Sequence, residues 1–476
     1  MAEETAEMQA LKESDPNGYE YLQILQGVHD HYNGKRYVSD LPDQDRHFLF
    51  SAFHATPMPE PHIPLAFEEL ASNLEGSSQP RDVALAHRTA ALHQLYDHES
   101  GTTRHASSEI CQTAFGFNPR ELIEKAPVSE KELDAYYSRA YDCIPIRVLK
   151  KPPQDPDGKE LSNAAFVSEA TGEPVKQDYL KDPELIRAKK QQYLNELTFT
   201  DVEKHGPQLA EKAKDIIMGR VQELGLTLPD VEVSVDHDKK PGYAYFFTFV
   251  PPPGKSKLVI YPSTHLSAHR LLEGICHELG HGLHLPYQYN FYQRDGESEY
   301  AVYDAVTPPL SEGIATNMRP LLFPDTDSFT KAAMELYRIT GQTVDPKELQ
   351  NYYDHVFYSP ATDADFSTGV RLAWQRFLDY EEVEHQDIGG DGMTAIDKFK
   401  AAAIKSLIVD KDIKQELREF RYLRHYIFGY SAYRAFVAQQ LQGKDTPGKA
   451  EAILELCQQR PRQITQEELT GFLKAA

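Results

Sequence analysis

Residues 271–285 read Leu-Leu-Glu-Gly-Ile-Cys-His-Glu-Leu-Gly-His-Gly-Leu-His-Leu. Leu271, Leu272, Ile275 and Leu279 recur at three-to-four spacing, which predicts a helix docked on a core through its apolar face. Thr264 or Ser267 offers a capping hydroxyl before it and Pro286 closes it, so the expected element is a helix over 265–285. Within it, His277-Glu278-Leu279-Gly280-His281 matches HExxH. Residues four apart share a helix face, so both imidazoles reach one Zn²⁺ at about 2.0–2.1 Å. Glu278 is rotated off that line by one position, where it holds a water and acts as general base. The five-residue pattern also arises by chance in long chains, so the remainder of a site has to be found. His265 and His269 are four apart too, but no Glu stands between them and they read as structural.

A catalytic zinc needs a third protein ligand and an open position. His284 lies on the same face a full turn further on. Three imidazoles of one straight helix cannot converge on a small tetrahedral ion, so His284 is expected to line the cleft instead. Glu299 follows His281 by eighteen positions in RDGESEY, which reads as a loop; Glu312 follows by thirty-one in PPLSEGIATNM. There two prolines and a Ser lead into a helix start, and small Gly313 and Ala315 allow that helix to pack closely on the first. A ligand needs a rigid seat, which favours Glu312 and leaves Glu299 as the alternative.

Outward from this centre the chain reads as mostly α. Helical periodicity covers 19–33, 82–97, 108–116, 129–142, 183–196, 207–224, 329–341, 346–358, 363–384, 394–408 and 411–442. Residues 229–262 break the pattern: VEVSVD alternates with period two, YAYFFTFV is aromatic, and KLVIYP is β-branched and apolar. They predict a β-ribbon of two or three strands that packs on helices. Residues 144–182 carry Pro152, Pro153, Pro156 and Gly158 and read as an irregular connection. The expected organisation is an N-terminal helical half over 1–143 and a catalytic helical half over 183–476. Asp387–Gly392 lacks the spacing and terminal Glu of a calcium loop and reads as a turn.

Composition excludes several classes of function. Fifty Lys and Arg against 73 Asp and Glu give a net charge of −23, which argues against a nucleic-acid or anionic-membrane partner. Four scattered cysteines form no CxxC and no disulfide framework. The acidic opening segment is not a signal peptide, and no apolar run reaches membrane-spanning length. A cytoplasmic monomer or homodimer is the expectation.

The segment RYLRHYIFGYSAYRAFVAQQL (421–441) sets Arg424, His425, Tyr426, Tyr430, Tyr433 and Arg434 on a helical apolar pattern. Neutral donors there suit an oxyanion; in a chain with 27 Tyr, an ordinary aromatic core helix is the better reading of this segment alone. Arg424 and Arg434 either clamp a substrate carboxylate or lie on the surface.

ICHELGHGLH closely resembles the zinc helix of the thimet oligopeptidase/neurolysin family, where a further His stands at the offset of His284. HYIFGYSAYRAF resembles that family's downstream His…Gly-Tyr…Tyr motif, with His425, Gly429, Tyr430 and Ala432 in matching places and one residue fewer before Tyr433. YLRHYI is similar to the tyrosine-bearing stretch of angiotensin-converting enzyme, which points to His425 or Tyr426. SEGIA is similar to the Glu helix of bacterial zinc-peptidase-like proteins, YAYFFTFVPPPGKSKLVIY to the strands preceding their zinc motif, and HExGH is shared with the carboxypeptidase Taq family. The motifs span about residues 225–441 and resemble the gluzincin superfamily, although the His281–Glu312 gap is longer than usual and Thr316 stands where some relatives have an Asp.

The resemblance implies a helical ellipsoid with a deep central channel, the β-ribbon beside the zinc helix. It implies a metallopeptidase of short peptides, with Zn²⁺ on His277, His281 and Glu312, Glu278 as base, and oxyanion donors from Tyr430 with His425 or Tyr433. His284, Arg424, Tyr426 and Arg434 would contact substrate. A zinc hydrolase of a small non-peptide amide would carry the same motifs. A vestigial binding protein is disfavoured by the complete His-Glu-His set.

Overall fold

In the computed structural model, the described residues are 6–36, 58–100, 107–133, 135, 193, 195–228, 231–236, 245–248, 255–260, 267–294, 307–354, 367–371, 374–375, 378, 424–458, 464 and 466–471. The expected connection at 144–182, the segment 394–408, the Asp387–Gly392 turn and Glu299 lie outside them. The elements in chain order are α1 (Ala6–Ser14), α2 (Pro16–Arg36), α3 (Ile63–Leu74), α4 (Pro80–Ser100), α5 (Ser107–Phe115), α6 (Pro119–Lys125) and α7 (Val202–Glu223). There follow β1 (Val231–Val235), β2 (Tyr245–Thr248), β3 (Ser256–Ile260), α8 (Ala268–Arg294), α9 (Thr307–Leu322), α10 (Thr326–Thr340), α11 (Pro346–Tyr353), α12 (Arg424–Leu441), α13 (Thr446–Leu456) and α14 (Gln466–Leu469). The protein is mostly helical with one small sheet, as the periodicity predicts. Among the described residues, no helix is long and apolar enough to cross a membrane.

Local chemistry explains where these helices begin and what they bury. Asp325 accepts the Ser328 amide at 2.7 Å to cap α10, and Gly341 ends that helix in the left-handed region at φ 68°. Ile63, Ala66, Phe67, Leu70 and Leu74 bury one face of α3, with Pro64 in its first turn. That pattern is plain in the sequence, yet α3 and α13 fall outside the periodic segments read from it.

The three strands fall inside 229–262 but do not form a simple antiparallel ribbon. Their order is β1-β3-β2, with β1 parallel and β2 antiparallel to the central β3. Leu258 sits opposite both Val233 and Phe247, and with Ile260 it is fully buried. β2 and β3 pack on α8, while β1 packs on α7. The sheet therefore gains from helices the stability that so few strands lack alone.

The HExxH helix runs further than expected. α8 runs through Pro286 to Arg294, although proline removes one helical hydrogen bond and crowds the preceding turn. Tertiary packing offsets this cost: Leu283 and Gln288 are fully buried on either side of the proline, and the Gln288 amide donates to the Cys457 carbonyl at 2.6 Å.

Three helices stack around the centre, with α9 between α8 and α12. Gly280 of α8 lies against Ala315, where an added Cβ would come within 2.3 Å of the Ala315 Cα. Gly313, expected to face the same helix, faces the opposite one: its missing Cβ makes room for the Tyr433–Arg434 backbone, 2.9–3.0 Å from that position. Gly429 of α12 accepts the Phe115 ring of α5, and Trp374 stacks on Phe117 at 5.7 Å while meeting Phe428 edge-on. Arg371 reaches Glu132 at 2.6 Å. One buried apolar cluster thus takes residues from both ends of the chain.

Candidate metal centre

α8 carries His277 and His281 on one face, and α9 brings Glu312 against them because Gly280 and Ala315 let the helices approach closely. The two Nε2 atoms are 3.1 Å apart; Glu312 Oε2 is 3.1 Å from His277 Nε2, and Oε1 is 3.6 Å from His281 Nε2. All three residues offer ligand atoms within 4.8 Å of one another. A tetrahedral ion with bonds of about 2.0–2.1 Å spaces its ligand atoms about 3.3 Å apart. The contacts lie near that value, with Glu312 meeting the two imidazoles through different carboxylate oxygens, so the group could hold a small divalent ion. The side chains are 15–28% exposed, leaving the group reachable from solvent.

The electrostatics suit a cation as well. Burial lowers the affinity of His277 for a proton, but the Glu312 charge and hydrogen bond, with Glu278 and Glu273 behind them, outweigh it and push the group up to about 9. Burial holds His281 down at about 4, opposed by Glu312 and reinforced by His277. The Glu312 charge thus favours positive charge beside the two imidazoles, the position a bound cation would take.

Two hydroxyls flank the group. Ser311 Oγ is 2.9 Å from His281 Nδ1, and Ser311 is 2% exposed. Thr316 donates to the Glu312 carbonyl at 2.9 Å and lies 3.1 Å from the Tyr430 hydroxyl. With the single Thr316 hydrogen on that carbonyl, the Tyr430 O–H is the donor between them. Ser311 was readable only as part of a helix start. α9 instead begins at Thr307, with Pro308 and Pro309 in its first turn, which puts Ser311 inside the helix and turns it toward α8. A Ser beside a candidate ligand Glu was the one available signal.

The other expected site residues are dispersed. Glu278 is partly exposed on α8, next to His277. His284 is fully enclosed, with no hydrogen-bond partner at either ring nitrogen among the described residues, and burial followed by the His281 charge pushes its pKa down to about 3. It sits in the interior instead of lining a cleft, because α8 continues past Pro286 and this turn is covered. Tyr433 is 1% exposed, with its ring edge-on to Phe115 at 6.0 Å; it joins the core between α5 and α9 and not the metal group. The Arg434 carbonyl accepts from Asn317 Nδ2 at 3.2 Å. Arg424, His425 and Tyr426 occupy the first turn of α12; their side chains lie outside the described residues. Of the downstream segment, Tyr430 reaches α9 beside the site through its contact with Thr316. Comparison with known protein families, with curated proteins and with solved structures finds no match for this chain.

Proposed function

We propose that this protein is a zinc-dependent metallopeptidase of the HExxH…Glu type, acting on short peptides. The observation that supports the reading is the His277–His281–Glu312 group, whose ligand atoms lie within 4.8 Å of one another, with Glu278 next to His277 in the sequence. His277, His281 and Glu312 would hold the ion. Zinc, when bound, supplies Lewis acidity that polarises a scissile carbonyl and brings the ionisation of water toward neutral pH.

The remaining steps belong to the chain's own residues. Glu278 takes the proton of the attacking water and passes it to the leaving amine. Tyr430 turns its O–H from Thr316 toward the developing oxyanion, while Thr316 turns its own hydrogen to the phenol oxygen. His425, on the same helix, is the second candidate donor. Among the described residues β2 pairs only with β3 and packs on α8. Its outer edge can take an extended peptide as a further strand alongside α8. The net charge of −23 favours encounter with cationic peptides, a preference that salt weakens.

A digest of a mixed library of short peptides by the zinc-loaded protein, read by mass spectrometry, tests this function. Cleavage that a chelator abolishes and zinc restores is the expected result. No cleavage of any peptide by the loaded protein would overturn it. Turnover confined to small non-peptide amides would move the same centre to a different class of hydrolase.

A further inference from the structure

We infer that Ser311 is a positioning residue for the metal centre: its hydroxyl oxygen accepts the Nδ1–H of His281 and thereby presents the Nε2 lone pair to the ion. The inference rests on the metal-centre reading and concerns a residue outside the ligand set. A neutral imidazole carries one proton, so the partner of one nitrogen decides the state of the other. Nε2 of His281 is the atom that faces His277 and Glu312. Ligation therefore needs the hydrogen on Nδ1, and Ser311 Oγ at 2.9 Å is the atom that receives it. The opposite arrangement, with Ser311 donating to Nδ1, would put a hydrogen on Nε2 and block the ligand atom.

Three further features sharpen the role. Ser311 is 2% exposed, so bulk water cannot readily replace its hydroxyl as the acceptor. It also precedes Glu312 on α9, so one short segment supplies a ligand from one helix and orients a ligand on the other. A misrotated α9 would disturb both at once. The acceptor is neutral, so it fixes the tautomer without adding a second negative charge beside Glu312. A carboxylate in its place would add that charge and raise the basicity of the imidazole.

The test is zinc affinity by chelator competition on full-length wild type, Ser311→Ala and Ser311→Thr, with the thermal midpoint of each metal-free protein as control. Partners of this kind typically contribute roughly 10- to 100-fold in metal affinity. Ser311→Ala should weaken binding by that factor, and Ser311→Thr should restore it to within a few-fold. Wild-type affinity in Ser311→Ala overturns the inference, and so does equal weakening in Ala and Thr, which would mark a packing role. Should Ser311→Ala not fold, Ser311→Cys decides: intermediate weakening supports the role and unchanged affinity overturns it. Failure of wild type itself to bind zinc would remove the metal centre, a result distinct from tight binding that is indifferent to Ser311.

Discussion

Glu278→Gln is expected to bind zinc as wild type does and to lose turnover. The amide has the shape of the carboxylate but no basicity, and Glu278 lies outside the triangle formed by His277, His281 and Glu312. One helical position turns a side chain by about 100°, which carries Glu278 away from the ligand line and toward the place where a water would attack. Removing a positioned base typically costs about 10²–10⁴ in rate, so kcat on a cleaved peptide should fall at least that far while zinc stoichiometry holds. Undiminished kcat would sink the general-base role. Loss of zinc in this variant would instead make Glu278 part of the ligand shell.

Gly280→Ala is expected to damage stability and metal binding together. The new Cβ would stand 2.3 Å from the Ala315 Cα, and a backbone atom cannot rotate away. α8 and α9 must separate, and the wedge sits between His277 and His281 on one helix and three residues past Glu312 on the other. Overpacking of this kind costs about 1–3 kcal/mol, against a gain of up to about 1 kcal/mol from replacing a helical glycine. A net loss is expected on chemical denaturation, with weaker zinc affinity as the Glu312 edge opens. Gly219→Ala in α7 is the control, since nothing lies within 4 Å of its added Cβ; it should be neutral or stabilising. Equal behaviour of the two variants would contradict the close helix contact.

What the sequence makes legible is local and periodic. The HExxH face of α8 follows from four-residue spacing, and the Glu312 helix from the argument that a ligand needs a firm seat. The misses share a cause, in that each depends on which distant element arrives alongside. Pro286 looks like a stop until Leu283 and Gln288 are buried around it. Gly313 and Ala315, two residues apart, point to opposite neighbours because α9 is covered on both sides. β3 takes the middle of the sheet through a parallel pairing with β1 that no adjacent-strand pattern announces. Tyr430 and Tyr433 are three positions apart on α12, yet one reaches Thr316 and the other packs on Phe115. An offset of about 60° around the helix is enough to separate a site residue from a core residue when both flanks are packed. Ser311 needed the rotation of α9, which no single sequence contains.

The central claim is that His277, His281 and Glu312 form one zinc site, and elemental analysis of the purified chain tests it most directly. Wild type, Glu312→Ala and Glu299→Ala would be incubated with zinc, dialysed and measured for bound metal. One zinc per chain is expected in wild type and Glu299→Ala, with Glu312→Ala nearly empty. A wild type without zinc, or a Glu312→Ala variant that retains it while Glu299→Ala does not, would contradict the site.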